Sequence, residues 1–277
     1  MPHPPIETLV EAALAVFAEE EAAGSREGED ALRALRERAD RATLAAAIAL
    51  TREDEPRRRR LGAAILGQLG HTAPDFTPVF VEARFEALAG ALARERAGAG
   101  RADVLASLCF AFGHLGDARC VGLLADLADH GDEDVRYAVA VALSGHDAAA
   151  ATLIGLSADA EACVRDWASF ALARQTALDT PALRAALRAR LDDPDDDAHD
   201  EAVVGLALRR DAGVRAALER ALPSRRLSTL LFEAAAALAD PTLSGPLRAA
   251  RARADFPPQM DEDWRAGAIA CGAIQRA

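Results

Sequence analysis

The chain has 277 residues, 51% of them hydrophobic, mostly Ala and Leu, with only 4% aromatic. Its formal net charge is −12, and all 32 basic residues are arginine because lysine is absent. Without lysine there can be no Walker-type phosphate lysine, no pyridoxal Schiff base and no kinase strand lysine.

The acidic charge is concentrated mid-chain: residues 1–100 carry 13 Arg against 17 acids, 101–200 carry 8 against 18, and 201–277 carry 11 against 9. Such a field repels a phosphate backbone, so nucleic acid is not expected as a partner and a basic protein surface suits better. No stretch of about 18 apolar residues runs uninterrupted, and MPHPPIETLVEAALAVFAEE lacks a basic leader. Neither export nor a membrane span is expected, which implies a cytoplasmic protein. Cys109, Cys120, Cys163 and Cys271 form no CxxC pair and read as small buried thiols.

In chain order, residues 6–23 read as an amphipathic helix ending at Gly24, and 29–51 as one or two helices. With Glu11, Glu19, Glu20 and Glu21 facing water, residues 1–52 are expected to form an N-terminal helical cap. The arginine run 57–60 opens a helix whose apolar face is Leu61, Ala64, Ile65 and Leu69, and reads as a solvated charged face. Thr77-Pro78 opens a longer helix to about Arg96, then AGAG and a second helix ending near Gly113, giving a longer unit over about 71–116. Thereafter paired helices are predicted at 118–129 with 135–144, 147–157 with 161–173, 180–191 with 197–208, 211–222 with 227–239, and 241–254 with 261–273. Thr180-Pro181 and Asp240-Pro241 place a capping residue before a first-turn proline, and Pro194 sits in a turn.

The second helices carry a recurring phrase: DEDVRYAVAVAL ending at Leu143, AEACVRDWASFAL at Leu172 and DDAHDEAVVGL at Leu206. Weaker copies end at Leu66, Phe112, Leu238 and Gly272. A period of about 30 residues belongs to helical arrays whose units cannot bury an apolar face alone and must stack. The expectation is all-α: one domain over 1–277, with about six to seven helix pairs over 53–277.

At DEDVRYAVAVAL, EACVRDWASFAL and AHDEAVVGLALRRD the chain resembles bacterial HEAT-repeat proteins, in particular those with phycobilisome lyase HEAT-like repeats. The resemblance spans roughly residues 55–275. It implies a right-handed α-solenoid of antiparallel helix pairs, with the helices beginning at Val135, Val164 and His199 lining the concave side. The family's Val-Arg pair is matched by Val135-Arg136, Val164-Arg165 and, less closely, Trp264-Arg265. Arg136, Arg165 and Arg265 therefore read as repeat framework, the first two pairing with aspartates of the preceding turn rather than gripping an acidic ligand.

Tyr137, Asp166 and Asp200 share one register, a residue after the Arg position, and helical geometry aims them away from the buried stripe. With Trp167 and Glu201, one place further on, they form the candidate binding surface. Trp167 could be an interface anchor or a partly buried packing residue. DDPDDD at 192–197 places Asp193, Asp195 and Asp197 at the first EF-hand ligand positions, but Ala198 and Val204 stand where Gly and Glu are required, so it reads as a solvated acidic turn. His114, His130 and His146 fall at helix ends or turns. No histidine pair has metal-ligand spacing, the His-Glu pairs of HEAT-type hydroxylases are missing, and HExxH, GxSxG and GxGxxG do not occur. No catalytic residue, cofactor or metal is expected.

These readings converge on a noncatalytic interaction scaffold that presents an acidic surface to a protein or peptide, a basic one in particular. The alternative is an enzyme or enzyme subunit similar to the HEAT-repeat bilin lyases. A HEAT-like DNA repair protein, which would need a cationic cleft, fits less well.

Overall fold

The computed structural model describes residues 4–17, 26–71, 79–98, 100–224 and 226–275, and these are helical without a strand. The chain divides into two compact units, Met1–Leu143 and Ser144–Ala277.

The first unit holds α1 (Ile6–Ala13), α2 (Arg26–Glu37), α3 (Arg41–Leu50), α4 (Pro56–Gln68), α5 (Val81–Ala97), α6 (Ala102–Leu115), α7 (Cys120–Ala125) and α8 (Glu133–Leu143). Helix α1 packs on α2, the pairs α3/α4, α5/α6 and α7/α8 follow, and α4, α6 and α8 lie side by side as one layer. The second unit holds α9 (Ala150–Leu156), α10 (Ala162–Arg174), α11 (Pro181–Ala189), α12 (Asp196–Leu208), α13 (Val214–Ser224), α14 (Thr229–Leu238), α15 (Ser244–Arg251) and α16 (Asp261–Ala270). Here α10, α12, α14 and α16 form the continuous layer, each backed by the helix that precedes it.

The departures from expectation are local. Helix α1 tightens into a 3-10 turn over Leu14–Phe17, and the rest of the stretch expected to reach Gly24, with Glu19, Glu20 and Glu21, lies outside the described residues. Residues 29–51 resolve into two helices because Ala39 takes φ 45° and the Asp40 side chain accepts from Thr43 N at 2.7 Å, which starts α3. The Thr77-Pro78 start also lies outside the described residues, and α5 begins after Phe80. Helix α7 is only six residues long. Thr180 and Asp240 do cap, accepting from Leu183 N at 3.2 Å and Thr242 N at 2.9 Å. Three cysteines are buried, but Cys163 is exposed.

Small residues set the spacing between helices. In each of three neighbouring pairs, a residue just past the end of one apolar run meets a residue inside the next: Gly67 against Ala111, Gly113 against Ala142, and Ala173 against Gly205. A methyl group added at Gly67 would lie 2.8 Å from the Ala111 Cα, and one at Gly205 2.8 Å from the Ala173 Cβ. Backbones this close admit one methyl group per contact and not two.

Arginines close the helix ends. Arg84 is fully buried and donates to the carbonyls of Leu66, Gly67 and Val79, the first two at the end of α4. Arg209 donates to Leu172 at 2.9 Å and Ala173 at 3.0 Å, near the end of α10, and to Thr176, Leu178 and Gly205. The last carbonyls of a helix have no intrahelical donor, and a planar fork with five N–H groups can satisfy several at once. Burial lowers the Arg84 guanidinium to about 10, so it stays charged at neutral pH.

The arginine run 57–60 is less solvated than the sequence suggests. Arg58 reaches Glu11 in α1 at 2.7 Å, Arg59 reaches Glu95 in α5 at 2.7 Å, and Arg60 lies over the Phe17 ring, 3.7 Å from Asp103 of α6. The run ties α4 to its surroundings because three of its four side chains point along helix flanks already lined with acids.

Two predictions follow from this packing. Gly67→Ala and Gly205→Ala should each lower unfolding free energy by about 1–3 kcal/mol, read from urea denaturation. Gly122→Ala, where nothing lies within 4 Å of the added methyl group, should be neutral or stabilising. Arg84→Met should cost about 2–4 kcal/mol because it strands buried carbonyls, and Arg84→Lys should recover only part of it, since an ammonium lacks the fork.

Candidate functional site

The candidate residues belong to different units. Tyr137 belongs to α8 in the first unit, half-buried and edge-on to Phe110 at 6.2 Å. Asp166, Trp167, Asp200 and Glu201 belong to α10 and α12 in the second.

Beyond the first residue of α10, the residues left partly or fully exposed are Cys163, Asp166, Trp167, Phe170 and Arg174, one stripe at helical spacing. Trp167 and Phe170 stack with ring centroids 5.2 Å apart at 28°. Arg174, one turn beyond Phe170, donates through Nε to Glu201 of α12 at 2.8 Å and through both terminal nitrogens to Glu233 of α14 at 2.8 Å. That side chain joins the α10 stripe to the buried Glu201 of α12 and the exposed Glu233 of α14. Neither Phe170, Arg174 nor Glu233 follows from the repeat register; the i, i+4, i+8 spacing of Asp166, Phe170 and Arg174 signals the first two, and nothing in the sequence signals Glu233.

Asp166 is the unusual group on this face. It is half-buried, and among the described residues no hydrogen bond or ion pair holds it. Burial pushes its carboxyl up to about 6, reinforced by the negative charges of Glu201, Asp197 and Asp195. Glu201 is also raised by burial, against the opposing pull of Arg174. Glu201 thus has a cation to offset its burial, and Asp166 has none among the described residues.

Asp200 is not at the surface. It is 1% exposed, takes a 2.7 Å contact from His199 Nδ1 and accepts the Ser228 hydroxyl of the turn before α14. The register argument holds for α10 but not for α12, whose residues 198–207 are all buried between α10 and α14. The Ser, His and Asp types needed for nucleophilic catalysis thus meet here, but Asp200 stands between the other two. The hydroxyl faces a carboxylate rather than the imidazole, and the set is closed to solvent, so it works as a latch from α12 to α14.

The three framework arginines differ. Arg165 donates to the carbonyls of Asp159 and Ala160 in the preceding turn, and its carboxylate partner is Asp193 of the following turn, at 2.9 Å through Nε and NH2. Arg136 likewise donates to the preceding carbonyls, His130 at 2.8 Å and Gly131 at 3.3 Å. Arg265 pairs with Asp261 in its own helix and is 64% exposed, so this ion pair links no repeats.

The acidic run 192–197 is spent on structure. Asp193 is buried between Arg165 and Arg190, Asp195 caps α12 by accepting from Ala198 N at 2.9 Å, and Asp196 and Asp197 pair with Arg226. Among the described residues no group of three His, Cys, Asp or Glu side chains is arranged to hold a metal ion. An open depression of about 610 Å³ lies at the far end of the face, lined by Ala173, Arg174, Thr176, Ala177, Asp179, Leu208, Arg209 and Arg210. Behind it, Asp211 is held down at about 2 by Arg188, the Gly213 N–H and Arg184.

Asp166 and Asp211 give opposite pH dependences. The Asp211 carboxyl is depressed, so its stabilisation is complete above the ordinary Asp value and is lost as pH falls toward 2. The Asp166 carboxyl is raised, so its charge burdens the fold above pH 6 and the burden lifts as pH falls from about 6 to about 4. Asp166→Asn should therefore stabilise the protein by about 1–2 kcal/mol at pH 7.5, allowing for partial exposure, and by nothing at pH 4. Asp211→Asn should cost about 2–4 kcal/mol at pH 7 and little near pH 2. Urea melts at these pH values check both signs.

No family model matches the sequence, and no curated protein is similar to it. Among solved structures, the chain is similar to YibA of Escherichia coli, with 20% identity over 98% of this chain and 99% of that one and a TM-score of 0.71. More distant are the complex of CpcE and CpcF of phycocyanin lyase from Nostoc sp. PCC7120 and the archaeal HEAT-like repeats protein from Thermococcus onnurineus NA1. The first shares 16% identity over 96% of each chain at a TM-score of 0.46, the second 15% over 99% of each at 0.48. The likeness to YibA bears on the fold alone, and with the stacked helix pairs of each unit it shows an all-α fold of HEAT-like helix pairs.

Proposed function

We propose that the chain is a noncatalytic protein-binding module, and that the α10–α12–α14 face of its second unit docks a basic protein or peptide. One observation carries the reading. Asp166 is a half-buried carboxylate surrounded by Glu201, Asp197 and Asp195, beside a stacked aromatic pair, with no cation on it among the described residues. Folding leaves this unfavourable arrangement in place, and a cation from outside would relieve it. The net charge of −12 adds long-range attraction for such a partner. The aromatic pair supplies the apolar area that interface anchors use.

The test is parallel affinity purification from the native host with the wild-type chain, Asp166→Arg, and the control Glu27→Arg on exposed α2. A stoichiometric partner should be kept by the control and lost by Asp166→Arg, and its wild-type affinity should fall steeply with salt. Undiminished capture by Asp166→Arg would rule this face out. Asp200→Arg is not a usable probe, because it would bury an unpaired charge inside the latch.

A further inference from the structure

The chain repeats one small device, a guanidinium laid over an aromatic ring and bonded to a carboxylate beside it. Arg119 stacks 3.9 Å from the Phe85 ring centroid while bonding both oxygens of Glu82, at 3.0 and 2.9 Å, and Asp117. Arg251 lies 4.6 Å from Phe256 and 5.7 Å from Trp264 and bonds Asp261 at 3.1 Å. Arg60 lies 5.0 Å from Phe17, with Asp103 at 3.7 Å. Ring, carboxylate and guanidinium come together in each case.

On α10 the ring and the carboxylate recur without the third member. Asp166 and Phe170 are one helical turn apart on the exposed stripe, and Trp167 backs the Phe170 ring. Among the described residues no guanidinium stands over Phe170 and none bonds Asp166. Arg174, one turn further along, is drawn off by Glu201 and Glu233.

We propose that the missing member is an arginine side chain of the partner, its guanidinium laid over the exposed part of Phe170 and bonded to Asp166. This rests on the docking face described above and specifies its anchor. Arginine is chosen over lysine by geometry: a planar, weakly hydrated cation can stack on a ring and present two parallel N–H groups to a carboxylate at once. A compact, strongly hydrated ammonium can do only one of these well.

Capped tetra-arginine and tetra-lysine carry equal charge and serve as probes, titrated into the whole protein by calorimetry at one fixed salt concentration. Tetra-arginine should bind about tenfold more tightly, and the preference should shrink below about threefold in Asp166→Asn and in Phe170→Leu. Asp166→Asn removes only a repelled charge, so its fold is secure even where Phe170→Leu loosens packing. Equal affinity for the two peptides, with both weakened by Asp166→Asn, would overturn the arginine anchor and leave the docking face standing. A tenfold preference that survives both substitutions would place the selectivity elsewhere and overturn it too. Binding of neither peptide would overturn the anchor and the docking face together.

Discussion

The structure depends on guanidinium groups reaching the backbone carbonyls that helices leave unsatisfied. A chain of short helices has many ends, and each end exposes carbonyls that burial would strand. Arg84 gathers two such carbonyls and one from a turn, Arg209 gathers three and two, and Arg136 and Arg165 serve the turns ahead of their helices. Water performs this task at an exposed helix end. In an array, every end but the outermost lies near the next repeat, so the donor must come from the protein.

The same constraint explains why the core is thin. Helices that meet through Gly67, Gly113 and Gly205 bring their backbones close, which buries apolar area efficiently with few large side chains. Phe112, Phe232 and Trp264 are buried in the core, but aromatic side chains outside it are free for another use. Several serve as platforms for arginine instead, as Phe17, Phe85 and Phe256 do. Charge and packing are thus divided between layers: small residues space the inner helices, and arginine with its carboxylates fastens their ends and flanks.

Much of this was legible in the sequence. The period of the recurring phrase placed α8, α10 and α12 within a residue or two, because apolar spacing and turn chemistry agree there. The register that put Asp166 and Trp167 on an outward stripe holds for α10. It fails at Asp200, which lies buried between α10 and α14 and is bonded to His199 and Ser228. Arg174 with Glu201 and Glu233 could not be read, since that contact joins residues 27 and 59 apart and depends on how closely three helices approach. The carbonyl clamps were hidden for the same reason: the acceptor is backbone, and backbone leaves no mark on the residue pattern.

The absence of lysine has a consequence for how the molecule titrates. Even the most enclosed guanidinium, at Arg84, keeps its proton far into alkali, whereas an amine in that place could surrender it. Every cationic fastener described above therefore stays engaged at neutral pH. With the guanidinium charges fixed, the carboxylates carry the answer to acidification, as Asp166 and Asp211 do in opposite senses.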